Sequence, residues 1–420
     1  MNKALLIAFH FPPIKASSGL ERTLSLVRHL PAHGWQPLVL SASPRAYPAT
    51  SDERMGAIPA GTVVRRAFAL DVTRHLAAGG RYPDALALPD RWSSWWVGAV
   101  PAGLAMIWRH KPQVIWSTYP IATAHLIGYA LHKLTGLPWV ADFRDPMVEF
   151  VEREQRWYPG DERLRRIRLF AEGKAAAHAG GLTFCTEGAR FICVGRYRGA
   201  DASRFHIVPN GFDESAFAGL RARQPDDGTH PITLLHSGTI YPSPDRDPTT
   251  FLRALARVNA ARADHGRPLR VVLRGSGVEG LYTELLAQLD LQGCVQFAPL
   301  VDYATALQEM ADVDGLLLFQ GYTSNPAIPA KVYEYFRAGR PLLGLVDGQG
   351  DTARLLREQQ VGLLAPLDDE DAITQALGQF VRALERGEAQ GMPQSQALHF
   401  ERAQGAARMA RVFEGVAAAR

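Results

Sequence analysis

Cysteine is scarce: Cys185, Cys193 and Cys294 are the only three among 420 residues. No two stand at a metal-ligand spacing, so a disulfide scaffold and a cysteine-built metal site are both excluded, and a reducing compartment fits. Long hydrophobic runs are missing too. The longest uncharged apolar stretch, Trp95 to Trp108, has 14 residues, too few to span a bilayer. Met1 to Phe9 is a brief apolar run ahead of Pro12-Pro13, the pattern of a first strand rather than a secretion signal. A cytoplasmic location is expected. No low-complexity tract or short repeat interrupts the chain. No nucleic-acid-binding motif accompanies its basic residues, so nucleic acid is not an expected partner.

What is present describes an ordinary globular protein of two or three domains, 47% hydrophobic and 21% charged. The net charge of +4 hides an asymmetry. Met1 to Ser215 carries 26 Lys and Arg against 18 Asp and Glu, whereas the remainder carries 20 against 24. A basic half of this kind suits an anionic surface or ligand.

Short apolar runs alternate with helical periodicity twice over. In the first half the strand candidates are Ala4 to Phe9, Leu38 to Leu40, Thr62 to Phe68, Val114 to Thr118, Trp139 to Phe143, Gly181 to Cys185 and Phe205 to Val208. Helical stretches lie between them, and Gly34 and Pro37 break the first. Residues 219–231 read as a linker, after which the pattern restarts at Ile232. Two doubly wound α/β domains with parallel sheets are predicted. Their ligands belong at the loops leaving the carboxyl ends of the strands.

The most informative loop is Asn325 to Pro341, NPAIPAKVYEYFRAGRP. It follows a buried strand, Gly315 to Phe319, and predicts a helix beginning near Pro329 and stopped by Gly339 and Pro341. Lys331 then sits in the first turn, where the helix dipole disfavours a cation unless an anion is bound. Glu334 shares its face and suits sugar hydroxyls, although a solvated Lys–Glu pair would look the same.

In the loop His236 to Pro248, Gly238 permits close backbone approach and Arg246 offers a planar phosphate partner. Asp245 and Asp247 form a D-x-D pair, but Asp247-Pro248 reads as a helix cap, so no metal is expected. Arg274 to Gly280 contains GxGxxG after the second strand of its domain, without the acidic residue a dinucleotide site needs. Gly275 is read as a tight turn near a ligand, and no cofactor is expected. In the first half, Asp142, Arg144 and Asp145 cluster after a buried strand, either as a structural Asp–Arg pair or as groups facing substrate. Thr118 closes the neighbouring strand. Asn210-Gly211 reads as a turn into the crossover between domains.

The order PP-x(4)-SG, ADFRDP, VPNGFD, the SGT loop, GSG and IPAKVYEYFRAGRP resembles glycosyltransferase family 4, retaining nucleotide-sugar enzymes of GT-B fold. The resemblance implies two Rossmann-like domains facing each other across a cleft that closes to exclude water. Residues 1–215 would bind the acceptor, with a terminal helix 397–417 packing back onto them, and 216–396 would bind the donor. It implies that Glu334 holds the donor ribose, that Gly238 and Arg246 handle the diphosphate, and that Ser18-Gly19 replaces the family's glycine pair. Pro326 stands where the family's first paired glutamate is expected.

The expected activity is metal-independent transfer of a hexose from a nucleotide diphosphate sugar, as co-substrate, to a glycan or lipid-linked acceptor in surface polysaccharide synthesis. Asp142, Arg144 or Asp145 would orient the acceptor. A sugar-nucleotide epimerase of the same fold, or an inactive donor-binding assembly protein, is the alternative. Trp95 to Trp108 reads first as a core helix broken at Pro101. Its tryptophans, with Arg109, His110, Lys111 and the segment Arg163 to Lys174, also suit an anionic membrane surface, and reversible attachment is expected there.

Overall fold

The computed structural model describes residues 1–15, 18–77, 79, 81–221, 228–262, 266–278 and 280–419, with the backbone alone at Ser18. Residues 222–227 of the expected linker and Glu279 of the glycine turn lie outside the described residues. The chain forms two compact units, Met1–Asn210 with Arg402–Arg420, and Gly211–Glu401.

The first unit is built on seven strands: β1 Asn2–Ile7, β2 Trp35–Ala42, β3 Val63–Ala67, β4 Val114–Thr118, β5 Trp139–Arg144, β8 Gly181–Phe184 and β9 Phe205–Ile207. Their order is β3-β2-β1-β4-β5-β8-β9, every pairing parallel. An antiparallel hairpin, β6 Glu149–Val151 with β7 Arg156–Tyr158, was not anticipated; its residues are too short and too polar to alternate detectably. Strands buried on both faces read as near-continuous apolar runs, which is why their positions were legible.

Two prolines behave differently from the expectation. Pro37 lies inside β2, which begins at Trp35. Pairing with β3 starts only at Leu38, so β2 is still an edge strand at Pro37 and the missing N–H costs little. Pro101 does not break its helix, which runs unbroken as Trp95–His110. Pro101 and Val97, whose carbonyl loses its partner, are both exposed and clear of the core.

The second unit has β10 Ile232–Ser237, β11 Leu269–Arg274, β12 Val295–Ala298, β13 Gly315–Gln320, β14 Leu342–Val346 and β15 Leu363–Ala365 in the order β12-β11-β10-β13-β14-β15. It claims Phe212 and Glu214, ahead of the boundary expected at 215. Phe212 N–H donates to Phe400 O at 3.2 Å, and Arg337 holds both Glu214 carboxylate oxygens at 2.6 Å. The terminal segment is likewise divided. Gln394–Ala397 lies in the second unit, while the helix Arg402–Ala418 buries Ala406, Met409 and Phe413 in the first unit's core beside Val27 and Trp35. Among the described residues no helix is long and apolar enough to cross a membrane.

Candidate nucleotide-sugar site

In each sheet the strand order reverses between two neighbours, β1 and β4 in the first, β10 and β13 in the second. Connections leave such a pair on opposite sides and open a crevice at the carboxyl ends.

In the second unit that crevice holds Lys331. The helix runs Lys331–Ala338, two residues later than expected, because Val332 and Tyr333 N–H groups bond back to Pro329 and Ala330 in a preceding turn. Val332, Tyr333, Tyr335 and Phe336 bury its inner face, and Gly339 ends it at φ +66°. Its N-cap residue is Ala330, which has no side chain able to cap the first turn. Tyr335 fixes the helix against β10 by accepting from Ser237 N–H at 2.9 Å.

Lys331 Nζ donates to His236 Nε2 at 3.2 Å. The imidazole is oriented by its other nitrogen, which donates to Leu317 O at 3.0 Å, and by stacking on Phe319 at 4.7 Å. Burial first, then Lys331, holds His236 well below its ordinary pKa, so the ring is a neutral acceptor. Burial, then the charge of Arg246, pushes Lys331 down to about 7. Gly238 makes this arrangement possible: its φ is +126°, and a Cβ there would lie 2.6 Å from Lys331 Nζ.

Arg246 stacks over Tyr241 at 5.1 Å and pairs with Asp245 at 3.2 Å. Asp247 caps the next helix, accepting from Thr249 N–H at 2.9 Å and from its hydroxyl at 2.6 Å. Both carboxylates of the D-x-D pair thus have protein partners. Gly275 turns at φ +63°, its N–H bonded to Ala298 O, and Arg274 is spent on both oxygens of Glu309. Glu334 accepts from Tyr303 at 2.8 Å. Gln320 pins the loop around Pro326, donating to Ser324 O at 2.8 Å and Ala327 O at 2.9 Å.

In the first unit the expected residues also gather at the switch point, with a change of roles. Asp142 is fully buried, and its carboxylate accepts from Arg22 Nε (2.8 Å), Arg22 Nη2 (2.6 Å), Thr118 (2.8 Å) and Thr183 (2.6 Å). Burial alone would raise its pKa; Arg22 and the two hydroxyls bring it below the ordinary value. A carboxylate so enclosed positions strand ends and does not meet a substrate. Its cation is Arg22, not its neighbour Arg144. Thr118 correspondingly faces Asp142.

Arg144 sits at a bulge in β5 with φ +62°, a strained backbone for a side-chain-bearing residue. A Cβ on Gly19 would lie 2.7 Å from His10 Nδ1 and 3.0 Å from Arg144 Nη1, so this glycine lets the three pack together. The side chain of Ser18 lies outside the described residues. Burial, then Arg144, pushes His10 down to about 4. Asp145 is raised by burial against the pull of Arg144, and Glu149 rises to about 7 through burial and the charge of Asp145. His10, Arg22 and Glu149 stand outside the motifs, and His236 opens a quoted loop in which only Gly238, Arg246 and the two aspartates carry an expected role.

Two units with these switch-point sites define the class of GT-B proteins. Residues 19–211 match the glycosyl transferase 4-like domain, so the first unit carries that domain and the resemblance drawn from the motifs holds. Sucrose-phosphate synthase from Thermosynechococcus elongatus is similar in structure, with 15% identity, 100% of both chains covered and a TM-score of 0.65. HepE from Anabaena, solved in complex with UDP, is similar at 15% identity, 99% and 100% coverage and a TM-score of 0.64. A putative UDP-N-acetylglucosamine 2-epimerase from Listeria monocytogenes shares the fold at 11% identity, 96% and 93% coverage and a TM-score of 0.58. No curated protein matches the chain in sequence.

Proposed function

We propose that this protein is a retaining hexosyltransferase, taking sugar from a nucleotide diphosphate donor to a glycan or lipid-linked acceptor in cytoplasmic assembly of surface polysaccharide. The observation that carries the reading is Lys331: a half-buried amine in the first turn of a helix, bonded to a neutral imidazole, with Arg246 nearby. Two cations and a helix N-terminus in one crevice repel each other until an anion of diphosphate type enters. They would stabilise the departing diphosphate as its charge develops, without a metal ion. Glu334, held by Tyr303, suits ribose hydroxyls, and the Gly275 turn suits close approach of the nucleotide. HepE binds UDP and UDP-glucose, which makes uridine donors the first to test.

On the acceptor side, Arg144, packed at Gly19, and its neighbour Asp145 are the groups we assign to orient the attacking hydroxyl, with Asp142 and Thr118 fixing the strand ends beside them. Incubation of the purified protein with a panel of nucleotide sugars, with and without glycan acceptors, tests the reading. Transfer requires an acceptor. Turnover without one would instead identify an epimerase, and donor binding without any turnover an assembly protein.

A further inference from the structure

The helix Trp95–His110 is apolar on both faces. Inward, Trp95, Ala99, Val100, Gly103 and Met106 are buried in the first unit. Outward, Val97 is 65% and Trp108 85% exposed, and the exposed Pro101 and Ala105 lie between them at helical spacing. A helix hydrophobic all round is normally enclosed, and an uncovered apolar stripe marks an interaction surface. Phe68, 56% exposed, abuts the start of the stripe through Gly98, where a Cβ would meet its backbone oxygen at 2.4 Å.

A cationic rim closes the other end. Arg109 and Lys111 follow Trp108, and the adjoining helix Ala122–Thr135 ends in exposed Lys133 and Leu134. In the third helix, Glu162–His178, Lys174 lies 5.0 Å over the half-exposed ring of Phe170. No acidic residue occurs between Asp90 and Asp142. The third helix has two, Glu162 paired with Arg166 and Glu172 buried against Arg196. The arginines expected to meet the membrane are largely occupied elsewhere: Arg165 reaches Pro159 O and Gly160 O, and Arg168 reaches Met147 O.

We propose that this face seats the protein on an anionic lipid bilayer, with the Trp95–His110 helix lying in the membrane plane, Val97 and Trp108 entering the headgroup boundary, and Arg109, Lys111, Lys133 and Lys174 meeting lipid phosphates. Tryptophan and cations at the two ends of an apolar stripe are what a headgroup interface accommodates. A second copy of the chain fits worse, because a two-fold pairing would oppose rims that have no acidic residues to neutralise them. The inference deepens the proposed function by favouring a lipid-linked acceptor, but its test reads binding and not turnover.

Full-length protein is co-sedimented with vesicles of phosphatidylcholine alone or mixed with phosphatidylglycerol, without nucleotide. Binding is expected only with the anionic lipid and falls as salt rises. Val97→Ser with Trp108→Ser abolishes it while the thermal melt and nucleotide binding stay unchanged. Lys111→Gln and Lys133→Gln each lower the partition coefficient about fivefold, which tests the rim even if the apolar pair fails to fold. Absence of binding to anionic vesicles at low salt overturns the proposal. So does binding indifferent to all four substitutions, or a protein dimer in sedimentation that Trp108→Ser dissolves. Failure of nucleotide binding in the wild-type protein would overturn the donor-site reading and leave this one standing.

Discussion

Lys331 Nζ lies 3.2 Å from His236 Nε2, across 95 residues of sequence. Because the other imidazole nitrogen is committed to Leu317 O, the ring presents only a lone pair, and the lysine is held by a neutral acceptor in a buried crevice. In the proposed function that charge is the one the donor diphosphate meets. Removing it tests this directly. Lys331→Ala and Arg246→Ala should each weaken nucleotide diphosphate binding roughly ten- to hundredfold, the loss of one charge-assisted bond of about 1.5–3 kcal/mol. Calorimetry giving unchanged affinity for both would take them out of the donor site.

The same lysine makes donor affinity depend on pH. With its pKa near 7, the free protein loses the ammonium as pH rises through neutrality. Only the protonated form attracts a diphosphate, so affinity for a nucleotide sugar should fall about tenfold from pH 6 to pH 8, with proton uptake on binding above pH 7. Titrations in buffers of differing ionisation enthalpy measure that uptake; a flat profile would show that Lys331 stays charged or lies off the donor.

Gly238→Ala should mimic loss of the lysine without touching its charge. The added Cβ would displace Nζ and strain a backbone at φ +126°, so affinity drops at least roughly tenfold. Wild-type affinity in this variant would contradict the geometry of the turn.

Asp142→Asn is expected to act on stability. Breaking a buried, saturated pair typically costs about 3–5 kcal/mol, and a urea titration should show it. Arg144→Ala, by contrast, should lower turnover with donor affinity intact. If Asp142→Asn melts like the wild type, its carboxylate is not the structural centre that its four partners imply.

Activity should survive a chelator, since Asp247 is a helix cap and Asp245 is paired with Arg246. Loss in chelator restored by manganese would return the D-x-D pair to the donor as a metal site.

Most strands and helices were legible because each announces itself locally, through a buried run or a helical period. The helix Glu162–His178 starts where Asp161 caps it. The motif lysine, glycines and arginine were legible too, as loop residues between such elements. Partners were not. Arg22 and Asp142 are 120 residues apart, and nothing periodic links them. The sequence therefore leaves Asp142 open between a structural Asp–Arg pair and a group facing substrate, and the arginine it pairs with is Arg22, on the helix after β1. His236 lies one residue inside the end of β10, and its bond to Lys331 exists only once β10 and β13 lie side by side.

Gly321 carries a consequence for genetics. It ends β13 against the loop of Arg246, accepting no side chain: its N–H bonds Asp245 O at 2.6 Å, and a Cβ would come within 1.8 Å of Pro244 O. Every substitution there must push the arginine loop away. In a saturation library selected for donor binding, the barest column should therefore fall at 321, four residues ahead of the conspicuous motif and on a residue with no side chain of its own.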